Sequence, residues 1–327
     1  MAVGLNRQTA DQVPTAFFHG RGPVWEKGRA GRMDCLSLLR SVLMDRGYVI
    51  EWRELSDDVE RLAQADPRHL HVVVDDMPVA GDNVLFCVPS YLNGFWYLDR
   101  VGTRNNSAMR TRLFRPQGMS RAYAREFAGK LRAKFIDDNR SKFDQELVDG
   151  FTPEPGAICI FPQRFKAPKY YRHYMSYPDL IDGVIANRGT RRIYIKPHPR
   201  QKTEELAVLM GYHDPGAGIE VTTHSIHGLL AQAGAAVSLS SAVLVEAQMH
   251  GVPGVVAGQV DFHHNMVVIR EPDHIGAALE QAFIQRFEYE KFLVFFFAHG
   301  MVQPRLRRKA LERMGAVLTE MGFGAHV

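Results

Sequence analysis

The chain has 327 residues, of which 46% are apolar and 23% charged, and its formal net charge is +4. A single hydrophobic core usually stops growing below this length, so two domains are expected, and the lack of any run of about 18 apolar residues excludes a bilayer-spanning helix. The mild positive charge suits an anionic substrate or an anionic membrane surface, and it does not require nucleic acid as a partner.

The amino-terminal end and the cysteines indicate the compartment. Residues 1–15 lack the charged and then apolar build of a signal peptide. The three cysteines, Cys35, Cys87 and Cys159, lie in apolar stretches without the spacing of metal ligands, which favours reduced thiols in a cytosolic protein. We therefore expect a cytoplasmic location, with peripheral contact at the inner membrane as an open alternative.

The first half of the chain alternates between apolar strands and amphipathic helices. Strands are expected at 15–19, 48–52, 71–74 and 83–88, and helices at 33–46, 57–65 and 120–143. A Gly- and Arg-rich stretch at 20–32 and an aromatic, Asn-containing stretch at 89–107 are expected to be loops, and the length of the second indicates a functional loop. The alternation predicts a parallel sheet with helices on its faces.

The second half repeats this pattern after a linker with Pro, Gly and acidic residues at 149–156. Strands are expected at 157–161, 192–196, 219–222, 235–239 and 252–257, and helices at 174–187, 203–210, 225–233, from Ser240-Ser241 to Gly251, at 273–287 and at 305–321. The predicted fold class is therefore α/β, with two Rossmann-like lobes. The expected domains are 1–150, 151–300 and a carboxyl-terminal helix at 301–327 that packs back on the first domain.

Polar residues follow two of the predicted strands in the second half. Lys196-Pro197-His198-Pro199 ends one strand, and Ser240-Ser241 ends another and begins a helix. Parallel strands bind ligands at their carboxyl ends, and a helix N-terminus offers N–H groups that suit a phosphate. The prolines would hold the imidazole of His198 rigidly, for a phosphate contact or in a tight turn, and the serines would bind phosphate or cap the helix.

The order of these residues resembles a known family. KPHP, then SS, four residues, Glu246 and HGVPGVV are similar to the carboxyl-terminal domain of bacterial capsule-polysaccharide glycosyltransferases, over about 155–260. These include the β-Kdo transferases and, more distantly, CDP-glycerol glycerophosphotransferases and bacterial sialyltransferases. The resemblance implies the glycosyltransferase-B architecture, in which a cleft lies between two Rossmann-like domains, with the donor nucleotide on the second domain and the acceptor on the first.

The resemblance also implies which residues bind the nucleotide. The candidates are Gln163, Arg164, Lys196, His198, Ser240, Ser241 and Glu246. In the family, the matching His-Pro pair contacts the nucleotide of a CMP-sugar, and a Glu near this helix holds the ribose or base. Each candidate also has a structural alternative, such as an exposed helix carboxylate for Glu246 or a surface loop for Arg164.

The catalytic base is harder to assign. Glycosyl transfer needs a group that removes the proton of the acceptor hydroxyl, usually Asp, Glu or His. Asp99 is the first candidate because its loop is long and aromatic; His19 and the pair Asp75-Asp76 are alternatives, although the pair also suits a turn. Phosphotransferase chemistry stays open, since it could use His198 with a second histidine such as His19.

A basic helix and the absence of metal-binding motifs indicate which partners to expect. The basic helix at 121–134 suits a solvated face, an anionic lipid or an anionic glycan, and no nucleic-acid-binding motif accompanies it. Neither a metal nor a cofactor is predicted. The leading hypothesis is a metal-independent glycosyltransferase that moves a sugar, such as Kdo or another acid sugar, from a nucleotide-activated donor to a surface glycan or glycolipid. The alternatives are a CDP-polyol glycerophosphotransferase and a non-catalytic nucleotide-sugar-binding protein.

Overall fold

The computed structural model describes residues 13–141, 151–166 and 171–324. These residues divide into two compact units. Unit 1 contains 13–88, 96–103 and 302–324, and unit 2 contains 89–95 and the described residues from 104 to 301. The division does not follow the predicted boundary at 150, and the first two residues of the predicted linker, 149 and 150, lie outside the described residues.

The regular elements alternate as the sequence predicts. The strands are β1 Thr15–Gly20, β2 Val49–Glu54, β3 Leu70–Val74, β4 Val84–Pro89, β5 Trp96–Asp99, β6 Ala157–Ile160, β7 Ile193–Ile195, β8 Ile219–Val221, β9 Ala233–Ser238, β10 Gly254–Val256 and β11 Val267–Val268. The helices are α1 Gly22–Arg29, α2 Asp34–Met44, α3 Val59–Ala65, α4 Arg121–Phe135, α5 Tyr177–Asn187, α6 Thr203–Met210, α7 Ile226–Leu230, α8 Val243–His250, α9 Ile275–Ile284, α10 Tyr289–Leu293 and α11 Arg307–Glu320.

Unit 1 is built on a five-stranded sheet with the order β2-β1-β3-β4-β5. The pairs β1–β2, β1–β3 and β3–β4 are parallel. Helix α2 places Leu36, Leu39 and Leu43 on one face at helical spacing, and all three are completely buried. Met314 and Leu318 of α11 belong to the same core cluster, so the carboxyl-terminal helix packs on this unit.

Two elements of unit 1 lie where the sequence predicted loops. Helix α1 forms in the Gly- and Arg-rich stretch because Pro23 lies in its first turn and Trp25 is buried, with its Nε1 donating to the carbonyl oxygen of Phe18 at 3.2 Å. Strand β5 forms inside the stretch at 89–107, where Trp96 and Val302 exchange backbone hydrogen bonds of 2.9 and 2.8 Å. Both loop predictions were wrong at these positions. For β5 the reason is that its partner lies 206 positions away along the chain and gives no local signal.

Unit 2 is built on a six-stranded sheet with the order β11-β10-β9-β6-β7-β8, and each neighbouring pair is parallel. Its central strands are buried on both faces, as expected for a sheet covered by helices. The apolar stretch at 291–300 forms the end of α10 and a turn of π-helix at Val294–His299, and four of its phenylalanines, Phe292, Phe295, Phe296 and Phe297, are buried. Within the described ranges, no helix combines the length and the apolar character needed to span a bilayer.

Candidate functional site

The carboxyl ends of three neighbouring strands converge in unit 2. Strands β9, β6 and β7 lie side by side and run parallel, so the residues after each strand lie at one edge of the sheet. Gln163 and Arg164 follow β6, the KPHP sequence follows β7, and Ser240-Ser241 follows β9 and precedes α8. Polar and charged residues from three separate parts of the sequence therefore lie at this edge.

A cavity of about 610 Å³ opens at this edge. All seven predicted nucleotide-binding residues line it, namely Gln163, Arg164, Lys196, His198, Ser240, Ser241 and Glu246. A volume of this size falls within the range of small-molecule sites in proteins. The two predicted catalytic residues, Asp99 and His19, belong to unit 1 and do not line this cavity.

The cavity wall is strongly cationic. Its described lining holds five Lys or Arg residues and one carboxylate, that of Glu246; the cations are Arg104, Arg164, Lys166, Lys196 and Arg200. Guanidinium and ammonium groups recognise phosphate and carboxylate oxygens, with Arg able to bind two oxygens at once. An anionic ligand is therefore the chemistry that this wall favours.

His198 is held in one tautomer by its own turn. The backbone N–H of Arg200 donates to His198 Nδ1 at 3.0 Å, which makes Nδ1 an acceptor. In a neutral imidazole the proton then lies on Nε2, so this cavity residue carries a ring N–H donor. A fixed donor of this kind suits a phosphate oxygen.

Lys196, two residues before His198, is anchored by a backbone carbonyl group. Its Nζ donates to the carbonyl oxygen of Thr223 at 2.8 Å, which holds the ammonium group at the strand end. The contact fixes the position of a charge that also lines the cavity.

The two serines have different local roles. Ser241 Oγ accepts from the N–H of Val243 at 3.3 Å, close to the start of α8. Ser240 Oγ instead donates to Gln163 Oε1 at 3.0 Å. Both serines line the cavity, and Ser241 also accepts a bond from the first residue of α8, whose N-cap position is Ala242.

Glu246 is a buried carboxylate on the first turn of α8. Its Oε1 accepts from Ser141 Oγ at 2.9 Å, and its Oε2 is buried without a hydrogen-bond partner among the described residues. Burial raises the pKa of Glu246 to about 7, although the bond from Ser141 opposes the shift. A carboxylate with one unused buried oxygen is suited to receive hydroxyl groups from a ligand.

The histidine beside Glu246 does not neutralise it. His227 Nε2 lies 3.6 Å from Glu246 Oε2 but 2.9 Å from the carbonyl oxygen of Arg140, which can only accept. His227 therefore donates to Arg140, and its Nδ1 lies 3.0 Å from His250 Nε2. Burial lowers the pKa of both histidines, that of His250 to about 4, so the pair is neutral at pH 7.

Several cavity residues were not among the sequence candidates. They include Tyr91, Arg104 and Asn105 from the stretch at 89–107, and Ser141, Lys166, Tyr171, His173 and Arg200. Arg104 has a φ of 48°, a backbone conformation that non-glycine residues rarely adopt and that often occurs at functional sites. The length and aromatic content of 89–107 did indicate a functional loop, but no sequence pattern selected Tyr171 or His173.

Tyr91 is held on the cavity wall by a buried acid. Its hydroxyl donates to Asp261 Oδ1 at 2.9 Å, and Ser107 Oγ donates to Asp261 Oδ2 at 2.8 Å. Asp261 is completely buried, so the segment at 259–265 contributes to the interior of unit 2. Burial and the nearby Asp261 raise the pKa of Tyr91 well above its usual value, which keeps its hydroxyl protonated.

Asp99 lies at the end of β5 in unit 1 and is only 9% exposed. Its Oδ1 accepts from the backbone N–H groups of Val101 and Gly102, at 2.8 and 3.1 Å. These bonds hold the turn after the strand. The alternative pair is likewise engaged within unit 1, since Asp75 pairs with Arg21 at 3.3 Å and Asp76 accepts from Thr103 at 3.0 Å.

His19 lies on β1, inside the sheet of unit 1. It is 1% exposed, and its Nε2 lies 3.0 Å from Nδ1 of His71, with the two rings stacked at an interplanar angle of 3°. Burial, followed by the charges of His71 and Arg53, lowers the pKa of His19 to about 4. His19 is therefore a neutral, buried imidazole at pH 7.

Comparison with known proteins supports the architecture. No protein-family model and no curated protein sequence matches the chain. Among solved structures, it is similar to KpsC, beta Kdo 2,7 transferase, of Thermosulfurimonas dismutans, with 13% identity, a TM-score of 0.52, and coverage of 91% of this chain and 99% of that chain.

Two further solved structures are similar at lower scores. The beta Kdo 2,4 transferase structure of KpsC from the same organism has 13% identity, a TM-score of 0.46, and coverage of 84% of this chain and 88% of that one. The UDP-GlcNAc 2-epimerase of Methanocaldococcus jannaschii has 13% identity, a TM-score of 0.39, and coverage of 94% and 99%. The likeness to the 2,7 transferase, together with the two parallel sheets, shows that this chain has the α/β fold of the glycosyltransferase-B class.

Proposed function

We propose that this protein is a glycosyltransferase that takes a sugar from a nucleotide-activated donor bound in the cavity of unit 2. The observation that carries the proposal is the cavity itself, because all seven residues predicted from the family resemblance line one cationic space at the strand ends. Fold likeness to a Kdo transferase agrees with this function. The donor class that we favour is a CMP-activated acid sugar such as Kdo, and the acceptor class is a surface glycan or glycolipid.

The cavity residues have distinct proposed roles. The Nε2–H of His198, with Lys196 and Arg164, binds the phosphate of the donor. The free oxygen of Glu246 receives hydroxyl groups of the ribose. These groups stabilise the leaving nucleotide by charge and hydrogen bonding, so the proposed transfer uses no metal ion. We propose Asp99 or His19 as the group that removes the proton of the acceptor hydroxyl. The same proposal includes that one domain binds the acceptor and the other binds the donor.

Product analysis tests the proposal. The purified protein would be incubated with a CMP-activated acid sugar, a UDP-sugar or CDP-glycerol, each with an oligosaccharide acceptor. We expect release of CMP together with an acceptor that is heavier by one acid-sugar residue. An acceptor heavier by one glycerol phosphate would favour the glycerophosphotransferase alternative, and nucleotide binding without any product would favour the non-catalytic one.

We also propose that unit 2 contacts an anionic membrane surface. Residues 104–135 contain nine Lys or Arg residues and one acidic residue, Glu126. Within this segment Leu113 is 70% exposed and Tyr123 is 44% exposed. Basic side chains interleaved with exposed apolar and aromatic groups are typical of peripheral binding to anionic lipid.

Vesicle sedimentation tests the membrane proposal. We expect binding to phosphatidylglycerol vesicles but not to phosphatidylcholine vesicles, with loss at about 0.5 M salt because the attraction is screened. The variant Leu113→Ser/Tyr123→Ser should bind more weakly. The matched control is Leu206→Ser/Met210→Ser on α6, whose side chains are 39% and 47% exposed, and it should bind like the wild type. Equal binding to both kinds of vesicle, or to neither, would contradict the proposal.

A further inference from the structure

Three side chains on the wall of the cavity form a linear chain of hydrogen bonds. His173 Nε2 lies 2.8 Å from Ser240 Oγ, and Ser240 Oγ lies 3.0 Å from Gln163 Oε1. None of the three is adjacent to another in the sequence. The chain therefore connects the ends of β6 and β9 to the segment before α5.

The direction of the protons in this chain follows from the orientation of the Gln163 amide, whose Oε1 faces Ser240. Gln163 Oε1 can only accept, so the single hydroxyl proton of Ser240 points at Gln163. His173 must then donate to Ser240 through Nε2–H. Burial lowers the pKa of His173, so at pH 7 its ring is neutral and carries one proton, which the bond to Ser240 places on Nε2. In this arrangement the carbonyl oxygen of the Gln163 amide faces Ser240, and the NH2 group is the other branch of the same amide.

The backbone holds His173 rigidly in this place. It forms an antiparallel bridge with Gly258, flanked by bonds from Tyr174 N to Ala257 O at 3.0 Å and from Gln259 N to Arg172 O at 2.7 Å. A Cβ atom at Gly258 would lie 2.5 Å from the carbonyl oxygen of Leu239. Only glycine permits this close approach, which brings the His173 segment against the residue before Ser240.

We propose that His173 is a positioning residue, which acts through Ser240 to hold the Gln163 amide with its NH2 group as a donor to an acceptor atom of the bound nucleotide. The inference rests on the proposed nucleotide site. It assigns to His173 and Ser240 no direct contact with the reacting atoms. Their effect is to select a ligand with an acceptor at that point, because a flipped amide would present its oxygen instead.

A double-mutant cycle tests the inference. Nucleotide affinity would be measured by calorimetry for wild type, His173→Ala, Gln163→Ala and the double variant, with the nucleotide that binds wild type most tightly. We expect His173→Ala to weaken binding about fivefold to tenfold in the wild-type background, and to have no further effect when Gln163 is already Ala. A residue that supports the fold alone would weaken binding equally in both backgrounds.

Two more variants keep the test independent of folding defects. His173→Gln retains an amide N–H near the position of Nε2 and should recover most of the affinity. Ser240→Ala breaks the chain in its middle and should show the same dependence on Gln163 as His173→Ala.

The outcomes separate this inference from the function that it rests on. Nucleotide binding with equal losses in the two backgrounds, or with no loss in His173→Ala, would overturn the inference and leave the proposed function standing. Failure of the wild type to bind any nucleotide would overturn both.

Discussion

Replacing Glu246 with glutamine is expected to raise the free energy of unfolding at pH 8 by about 3 kcal/mol, and to leave it unchanged at pH 4. The reason is the burial of this carboxyl group, which raises its pKa from 4.5 to about 7 in the folded protein. Glutamine has the same shape and can accept the bond from Ser141, but it never carries the buried charge.

The direction of the effect depends on whether the folded or the unfolded protein loses the Glu246 proton at the lower pH. As the pH rises, the unfolded chain loses the Glu246 proton near pH 4.5, while the folded protein keeps it to about pH 7. Unfolding is therefore favoured progressively between these two values, and by a constant amount above the second. The neutral histidines His227 and His250 act in the opposite direction, since their lowered pKa values destabilise the folded protein as the pH falls below 6.5.

Urea unfolding of wild type and Glu246→Gln at pH 4 and pH 8 measures the effect, because the difference between the two proteins cancels most of the histidine contribution. Glu312→Gln is the matched control, since Glu312 lies on a helix with a side chain 57% exposed and should change the free energy by less than about 0.5 kcal/mol at either pH. A difference between wild type and Glu246→Gln that does not depend on pH would refute the explanation.

The same substitution should weaken nucleotide binding while it stabilises the fold. At pH 8 the charged carboxylate offers a stronger acceptor to ribose hydroxyl groups than a neutral amide does, so Glu246→Gln is expected to lose about tenfold in affinity. Gain of stability with loss of binding is typical of residues kept for function. A variant that gains stability and binds unchanged would show that Glu246 does not contact the ligand.

The second large effect is expected at His198. His198→Ala should lower nucleotide affinity about tenfold to a hundredfold, because it removes a hydrogen bond to a charged phosphate. His198→Gln should retain much of the affinity, since its amide N–H reaches the position of Nε2. His198→Asn should behave like Ala, because its shorter amide replaces only Nδ1, the atom that accepts from Arg200.

His213 provides the matched control for His198. Its Nδ1 also accepts a backbone N–H, that of Val221 at 3.1 Å, but it does not line the cavity. His213→Ala therefore removes the same kind of local bond without removing a cavity donor. Equal losses of affinity in the two alanine variants would indicate that His198 acts only through the stability of its turn.

The α/β fold and the meeting of the two polar motifs at one edge of the sheet could be predicted because their signals are local. Apolar strands such as Ile193–Ile195 and Ala233–Ser238 stand out by composition, and parallel pairing brings the residues after them to one edge. The prediction did not require knowledge of any side-chain contact. It succeeded because both polar motifs immediately follow buried strands.

Features that depend on distant partners could not be predicted. Strand β5 forms through bonds between Trp96 and Val302, and the cavity gains Tyr91 through a buried bond to Asp261. His173 lies in a stretch without periodic pattern, and its position depends on the absence of a side chain at Gly258. The residues in such pairs are far apart in the sequence, so no local sequence pattern reveals that they are in contact.

The most direct test of the central claim is calorimetric titration of the wild type and His198→Ala with CMP, CDP, UDP and GDP. We expect that one nucleotide, CMP for an acid-sugar donor, binds the wild type selectively and that His198→Ala loses most of this affinity. Selective binding of UDP or GDP would retain the nucleotide site and exclude the CMP-activated donor. Binding of none of the four nucleotides would contradict the assignment of the cavity as a nucleotide site.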